Sequence, residues 1–198
     1  MPELLLASSN PGKIKEYRIL LDGLGYLITT LIEQGIGEVV TESGSSYEQN
    51  ARLKALTYAE LSQLTTLADD SGLEVDALHG EPGVQSARFA GAGATDVERV
   101  SLLLAKLNGV PWERRTARFK CVIAIASPGS RLDVCYGECQ GMIAFEAKGG
   151  NGFGYDPVFY LPEKGKTMAE LPLEMKNQVS HRTRASQKAR QVLLQLHT

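Results

Sequence analysis

The apolar stretch Leu64–Ala68 runs straight into two adjacent carboxylates, Asp69 and Asp70, followed by Ser71, Gly72 and the apolar Leu73. A chain can hold such a segment inside a fold only if cations or donors converge on the acids, because neighbouring carboxylates repel and burial penalises their charge. The segment reads as a strand that ends in an acidic loop, with Leu73–Ala77 alternating as a further short strand. An Asx turn closed by Ser71 and Gly72 is the plain alternative for the acids.

Other elements can be placed around this one. Leu4–Ser8 reads as a short buried strand, and a helical pattern from about Gly12 to Leu21 follows it. Ser45 with Glu48 three residues later predicts a capped helix running through Ala51, Ala55 and Ala59 to about Leu61. Thr95 with Glu98 predicts another, along the stripe Val97, Val100, Leu104, Leu107. Arg118–Ala126 and Leu132–Cys139 flank the turn Ser127, Pro128, Gly129, Ser130 and predict an antiparallel pair. Glycines from Gly149 to Gly154 precede the apolar Val158–Leu161, and a helix closes the chain from about Ala185 to Leu196. The pattern is that of a mixed α/β domain with helices covering a twisted sheet.

Size and charge exclude several classes. A chain of 198 residues with 43% hydrophobic and 22% charged residues suits a single globular domain, or one with two lobes. Its formal net charge of −2 removes the usual electrostatic argument for nucleic-acid binding. The apolar run Leu4–Ala7 is too short for a secretion signal or a membrane span, so neither export nor a membrane partner is expected. Cys121, Cys135 and Cys139 are odd in number and form no C-x-x-C, which predicts a reducing, cytoplasmic setting.

Several constellations could carry chemistry. In Ser8-Ser9-Asn10-Pro11-Gly12-Lys13 a strand delivers hydroxyls, an amide and a lysine to a helix start, where free N–H groups attract anions. It is not a Walker A loop, and an ordinary N-cap with an exposed lysine explains it equally simply. Glu42 precedes a helix on which Tyr47, Asn50 and Lys54 share one polar face; taken alone, that face reads as solvated. Hard carboxylate oxygens at the Asp69, Asp70 position suit Mg²⁺, which takes one or two carboxylates and fills its shell with water and phosphate. Ser86 and Arg88 lie in a glycine-bounded loop, and Phe153 and Tyr155 in Gly149–Pro157 offer flat faces for a base. Lys176, His181 and Arg182 precede or open the last helix. Zinc-site spacing and a G-x-S-x-G elbow are both missing from the sequence, which leaves metal-plus-phosphate chemistry.

Taken together, SSNPGK, the E-x-G-x-x-Y-x-x-N-A-x-x-K run from Glu42 to Lys54, ADDSGL, PGVQSAR, FGYDP and SHR resemble the inosine/xanthosine triphosphate pyrophosphatase, or Ham1-like, family over nearly the whole chain. The resemblance implies a mixed, elongated twisted sheet flanked by helices, two lobes with an active-site cleft between them, and a homodimer. It implies Mg²⁺-dependent conversion of ITP, dITP or XTP to the monophosphate and pyrophosphate. By the same resemblance Ser8, Asn10 and Lys13 would hold the triphosphate, Glu42 and Asp70 the Mg²⁺, and Asp70 would also accept a proton, with Lys54 beside it in catalysis. Ser71 would touch substrate. Phe153, Gly154, Tyr155 and Asp156 would enclose the base, and Lys176, His181 and Arg182 would read its 6-oxo group and contact phosphate or sugar; Asp69, which strand alternation turns away from Asp70, would support the centre from behind together with Asn50. Tyr47, Gln49, Gln85 and Thr183 depart from the family's usual residues beside the site. The alternatives are a Maf-like pyrophosphatase acting on other triphosphates and a nucleotide sensor without turnover.

Overall fold

The computed structural model describes residues 1–129 and 132–196. Its strands are β1 (Glu3–Leu6), β2 (Leu27–Thr30), β3 (Thr65–Val75), β4 (Thr116–Ala126), β5 (Leu132–Ile143), β6 (Phe159–Leu161) and β7 (Lys166–Thr167). Its α-helices are α1 (Pro11–Leu20), α2 (Tyr47–Ser62), α3 (Asp96–Lys106), α4 (Leu173–Val179) and α5 (His181–Leu196). The strands form one seven-stranded mixed sheet in the order β2-β1-β3-β4-β5-β6-β7. β1 pairs in parallel with β2 and β3, whereas β6 pairs antiparallel with β5 and β7. The mixed α/β class expected from the alternation of elements is therefore the one observed. Of the expected turn after β4, Ser130 lies outside the described residues.

The chain divides into two compact units. The first contains Met1–Asp70, Cys121–Gly137 and Arg182–Thr198; the second contains Ser71–Lys120 and Glu138–His181. In the first, Leu4, Leu6, Tyr17, Leu21, Leu67, Cys121, Ile123, Ala185, Ala189 and Leu193 form the core, so α1 and α5 bury their apolar stripes against β1, β3 and β4. In the second, Leu73, Val75, Leu103, Leu107, Phe119, Tyr155, Phe159 and Met168 pack together. Cys121, Cys135 and Cys139 are buried free thiols, consistent with their small apolar surface.

Two local expectations are corrected. The acids do not end a strand: β3 runs unbroken from Thr65 to Val75, with Asp69 and Asp70 inside it, so the two short strands are one. The ladder survives because partners within the first unit neutralise and bond both side chains, as described below. The cap of α2 is Ser46, whose side chain accepts from the Gln49 amide, and not Ser45. Gln49 Oε1 reaches back to the Ser45 N–H at 2.8 Å, which frees Glu48 to pair with Arg52 across one turn. The Thr95–Glu98 capping box before α3 is present in both directions. In addition, β2, β7, α4 and several 3₁₀ turns carry too few residues for a periodic signal.

Candidate functional site

In the first unit the polar side chains converge on β3. Because successive strand residues point to opposite faces, Asp69 and Asp70 meet different surroundings. Asp69 is 2% exposed. Lys13 Nζ lies 2.9 Å from one of its carboxylate oxygens, and Arg182, buried in α5, reaches the other at 3.4 Å. Burial alone would raise the Asp69 pKa, but the charges of Lys13, Arg182 and Lys54 outweigh it and hold the group well below the usual carboxylate range. It is ionised at neutral pH.

Asp70 behaves oppositely. Its pKa is raised, first by burial and further by the Glu42 charge, against the pull of Lys54, Asn50 and Lys13. Adjacent carboxylates pushed apart in this way can take different roles, one a fixed anion and the other a group able to exchange a proton. The Asn50 amide has only one sensible orientation: its Oδ1 accepts from the Gly44 N–H at 2.8 Å and its Nδ2 donates to Asp70 Oδ2 at 2.9 Å. Asn50 thereby ties the segment after Glu42 to the strand. A Cβ on Gly44 would lie 2.6 Å from Asn50 Oδ1, so this approach requires glycine.

Lys54 links the remaining groups. Its ammonium donates to Glu42 Oε1 at 2.7 Å and to the Asp69 carbonyl at 2.6 Å. Burial lowers its pKa, but Asp69, Glu42 and Asp70 together hold it above the ordinary lysine value, so the cation is retained. The face of α2 carrying Tyr47, Asn50 and Lys54 is therefore turned inward, with Tyr47 8% and Asn50 2% exposed, and not solvated as its sequence alone suggests. One turn beyond Lys54 on the same face, the Tyr58 hydroxyl donates to the Glu38 carbonyl at 2.9 Å and accepts from the Val40 N–H at 3.2 Å. That bracket anchors the irregular segment that carries Glu42.

At the start of α1, Asn10 is the N-cap and its side chain accepts from the Lys13 N–H at 3.1 Å, while the half-buried Ser8 accepts from the Asn10 N–H at 3.2 Å. Glu16, one turn after Lys13, is 3% exposed and pairs with Arg182 at 2.6 Å. Arg182 is itself only 1% exposed. Burial would lower its pKa, yet Glu16 and Asp69 hold it raised. The structure thus brings together Lys13, Glu42, Asn50, Lys54, Asp69, Asp70 and Arg182. Glu16 and Tyr58 escaped the sequence reading, although their spacing, three after Lys13 and four after Lys54, was a usable signal.

The second unit holds a separate group. Phe153, Gly154, Tyr155 and Asp156 form a tight turn in which Asp156 accepts from the Phe153 N–H at 3.0 Å and forms a buried ion pair with Lys176. The Lys176 ammonium also sits 4.9 Å from the centre of the Phe153 ring. Tyr155 is a core residue, 4% exposed, whose hydroxyl donates to the Ser86 carbonyl at 2.9 Å. The flat face left in this turn belongs to Phe153. His181 stacks on Phe119 with ring centres 4.7 Å apart. Ser71 is half-buried in β3. Ser86 Oγ accepts from the Leu73 N–H at 2.9 Å and donates to the Gly83 carbonyl, a structural use of that loop.

The mixed α/β sheet thus carries a buried carboxylate pair ringed by two lysines and an arginine. The chain belongs to the Ham1 family: residues 4–192 match the sequence model of that family. It is 50% identical over 195 residues to the dITP/XTP pyrophosphatase of Desulforamulus reducens, spanning 98% of this chain and 97% of the relative. It is 43% identical over 193 residues to the dITP/XTP pyrophosphatase of Bacillus subtilis, spanning 98% of both. A HAM1 protein from Coxiella burnetii superposes with a TM-score of 0.89 at 41% identity, covering 98% of this chain and all of that one. No helix among the described residues is long and apolar enough to cross a membrane.

Proposed function

We propose that this chain is a nucleoside triphosphate pyrophosphatase of the dITP/XTP type, cleaving a deaminated purine triphosphate with water to the monophosphate and pyrophosphate. The observation that carries the reading is the buried cluster on β3, where Lys13 and Arg182 pair with Asp69, Lys54 bonds both Glu42 and the Asp69 carbonyl, and Asn50 donates to Asp70. Hydrolysis of a phosphoric anhydride needs charge neutralisation and an oriented water more than covalent chemistry. Lys13 and Lys54 supply positive charge to phosphate oxygens. Asp70 accepts a proton from the attacking water, and the fixed Asp69 keeps both lysines aimed.

Glu42 and Asp70 offer hard oxygens, the donor chemistry that suits Mg²⁺. Water and substrate phosphates would fill the rest of its coordination shell. When bound, Mg²⁺ would offset the negative charge that develops on the departing pyrophosphate. In the second unit Phe153 supplies a stacking face, and Lys176 and His181 supply donors for a 6-oxo purine, whereas the 6-amino group of adenine would leave those donors unpaired. Arg182, paired with Glu16 and Asp69, steadies the phosphate-handling acids and stands with Lys176 and His181 as a donor toward base, phosphate or sugar.

The deciding experiment is a panel of XTP, dITP, dUTP, GTP and ATP with Mg²⁺ and separate detection of pyrophosphate and orthophosphate. Pyrophosphate release, fastest on dITP or XTP, is expected. Orthophosphate would move the attack to the γ-phosphorus, dUTP preference would favour the Maf-like reading, and silence on all five would leave a sensor.

The Tyr58 bracket makes a milder prediction. Tyr58→Phe removes two hydrogen bonds, each worth roughly 0.5–1.5 kcal/mol, while keeping the ring in place. Amide exchange of Val40 should accelerate, and the Mg²⁺ concentration for half-maximal activity should rise by about fivefold, on the order of one such bond. Unchanged exchange and unchanged Mg²⁺ dependence would show that Lys54 alone holds Glu42.

A further inference from the structure

The turn Phe153–Asp156 cannot satisfy its own backbone. Asp156 takes the Phe153 N–H, but the Gly154 N–H points out of the turn, with Gly154 in the left-handed region at φ +63°. An amide in that position needs an acceptor from elsewhere, because an unmet backbone donor is costly. The acceptor is Asp96, whose Oδ2 lies 2.7 Å from the Gly154 nitrogen. Asp96 belongs to none of the motifs that identify the site; it is the first residue of α3, directly after the Thr95 cap.

The start of its helix and its carboxylate are held by separate groups. The reciprocal Thr95–Glu98 cap sets the helix start, with Thr95 N–H to Glu98 Oε2 at 2.7 Å and Glu98 N–H to Thr95 Oγ1 at 3.2 Å. Arg99 pairs with the other Asp96 oxygen and donates to the carbonyls of Ala87, at 2.9 Å, and Ala94, at 2.7 Å. The same Gly83–Arg88 segment receives the Tyr155 hydroxyl at Ser86. One carboxylate therefore joins the 83–94 stretch, the start of α3 and the turn that presents the Phe153 ring.

The geometry points to Asp96 as a positioning residue for base recognition: by accepting from Gly154 it sets the angle of the Phe153 ring and the turn that carries Asp156 against Lys176. This rests on the reading of the Phe153–Asp156 turn as the base-binding element. A charge-assisted hydrogen bond is at the strong end of the range, so its loss is expected to matter for a group that must be aimed.

The test compares Asp96→Ala, Asp96→Asn, Thr95→Ala and Phe153→Ala. Asp96→Ala is expected to accelerate exchange of the Gly154 amide, raise KM for dITP by about tenfold and narrow the dITP-to-dATP preference by a similar factor, with kcat within about threefold. Asp96→Asn keeps an acceptor oxygen and should restore most of the KM. Thr95→Ala removes the helix cap but leaves the Gly154 contact, so it should lower the melting temperature while leaving KM and preference unchanged. Thr95→Ala reproducing the Asp96→Ala kinetics would overturn the proposal, since helix stability would then explain both. So would an unchanged KM in Asp96→Ala beside a raised KM in Phe153→Ala, which would leave the base-binding reading standing. Unchanged KM in both variants would overturn that reading, and the proposal with it.

Discussion

Asp70→Asn is expected to lower kcat by about 10²–10⁴-fold, the range associated with losing a positioned general base. The binding of a non-hydrolysable triphosphate, measured by calorimetry, should change only a fewfold. The substitution preserves shape and can still accept the Asn50 Nδ2 hydrogen bond, so the local packing that keeps Asp70 6% exposed should survive. What it removes is the carboxylate charge, and with it both the proton acceptor and a hard oxygen for Mg²⁺. A parallel fall in kcat and affinity would identify Asp70 chiefly as a binding group; near-normal turnover would remove it from the reaction. The carboxylate beside it, by contrast, is held ionised and is a poor base, so the two residues should not substitute for one another.

Asp69→Asn is expected to act first on stability. The side chain is 1% exposed and carries ion pairs to Lys13 and Arg182. Neutralising one partner of a buried pair typically costs 3–5 kcal/mol. Because Arg182 keeps Glu16 and the new amide can still accept, a loss near the lower limit, about 3 kcal/mol, is expected. That corresponds to a fall of roughly 6–12 °C in melting temperature for a chain of this size. The pH dependence follows from the direction of the shift. A carboxylate whose folded pKa is depressed contributes stability that is fully present above its unfolded value, near 3.9, and is lost as pH falls toward the folded value. In chelator-treated protein, the gap between wild type and Asp69→Asn should therefore be constant from about pH 5 upward and close below about pH 4. A gap that widens on acidification would contradict the depressed pKa. Substrate turnover should fall as well, since Lys13 and the Asp69 carbonyl bonded to Lys54 both depend on this residue's place in β3.

Neither variant is meant to report on the thiol and phenol packed behind Asp69. Cys121 Sγ lies 3.8 Å from the Asp69 carboxylate and 3.7 Å from the Tyr17 hydroxyl. Burial, and after it the Asp69 charge, push the Cys121 pKa up to about 12, so at neutral pH it stays a thiol and acts as a packing group with a weak donor.

Much of this molecule could be read from local order alone. Helix α3 announces itself through a complete capping box, while its expected stripe is only partly the buried one, since Val97 is 74% exposed and Leu103 is buried beside Val100; α1 announces itself through Asn10, Pro11 and a strand before it. The family resemblance carried by the colinear motifs implies one chemical group of Lys13, Glu42, Lys54 and Asp70. These signals are short in range: a cap spans three residues, a stripe repeats every three or four, and a motif is contiguous. The misplaced cap of α2 shows their limit, because Ser45 and Ser46 offer equivalent hydroxyls and only the reach of Gln49 chose between them.

What the sequence by itself determined was the inventory: an α/β alternation, a family, and a set of acids and bases suited to phosphate chemistry. Only the tertiary structure decided how the charges divide. It made β3 continuous through both acids, turned the Asn50 and Lys54 face of α2 inward, and brought Arg182 into contact both with Glu16, 166 residues away in sequence, and with Asp69. Whether a carboxylate is pinned as an anion or left able to take a proton depends on burial and on charges from distant segments within a few ångströms. No periodicity or spacing along the chain carries that information, which is why two identical neighbours, Asp69 and Asp70, look alike in sequence and differ in the fold.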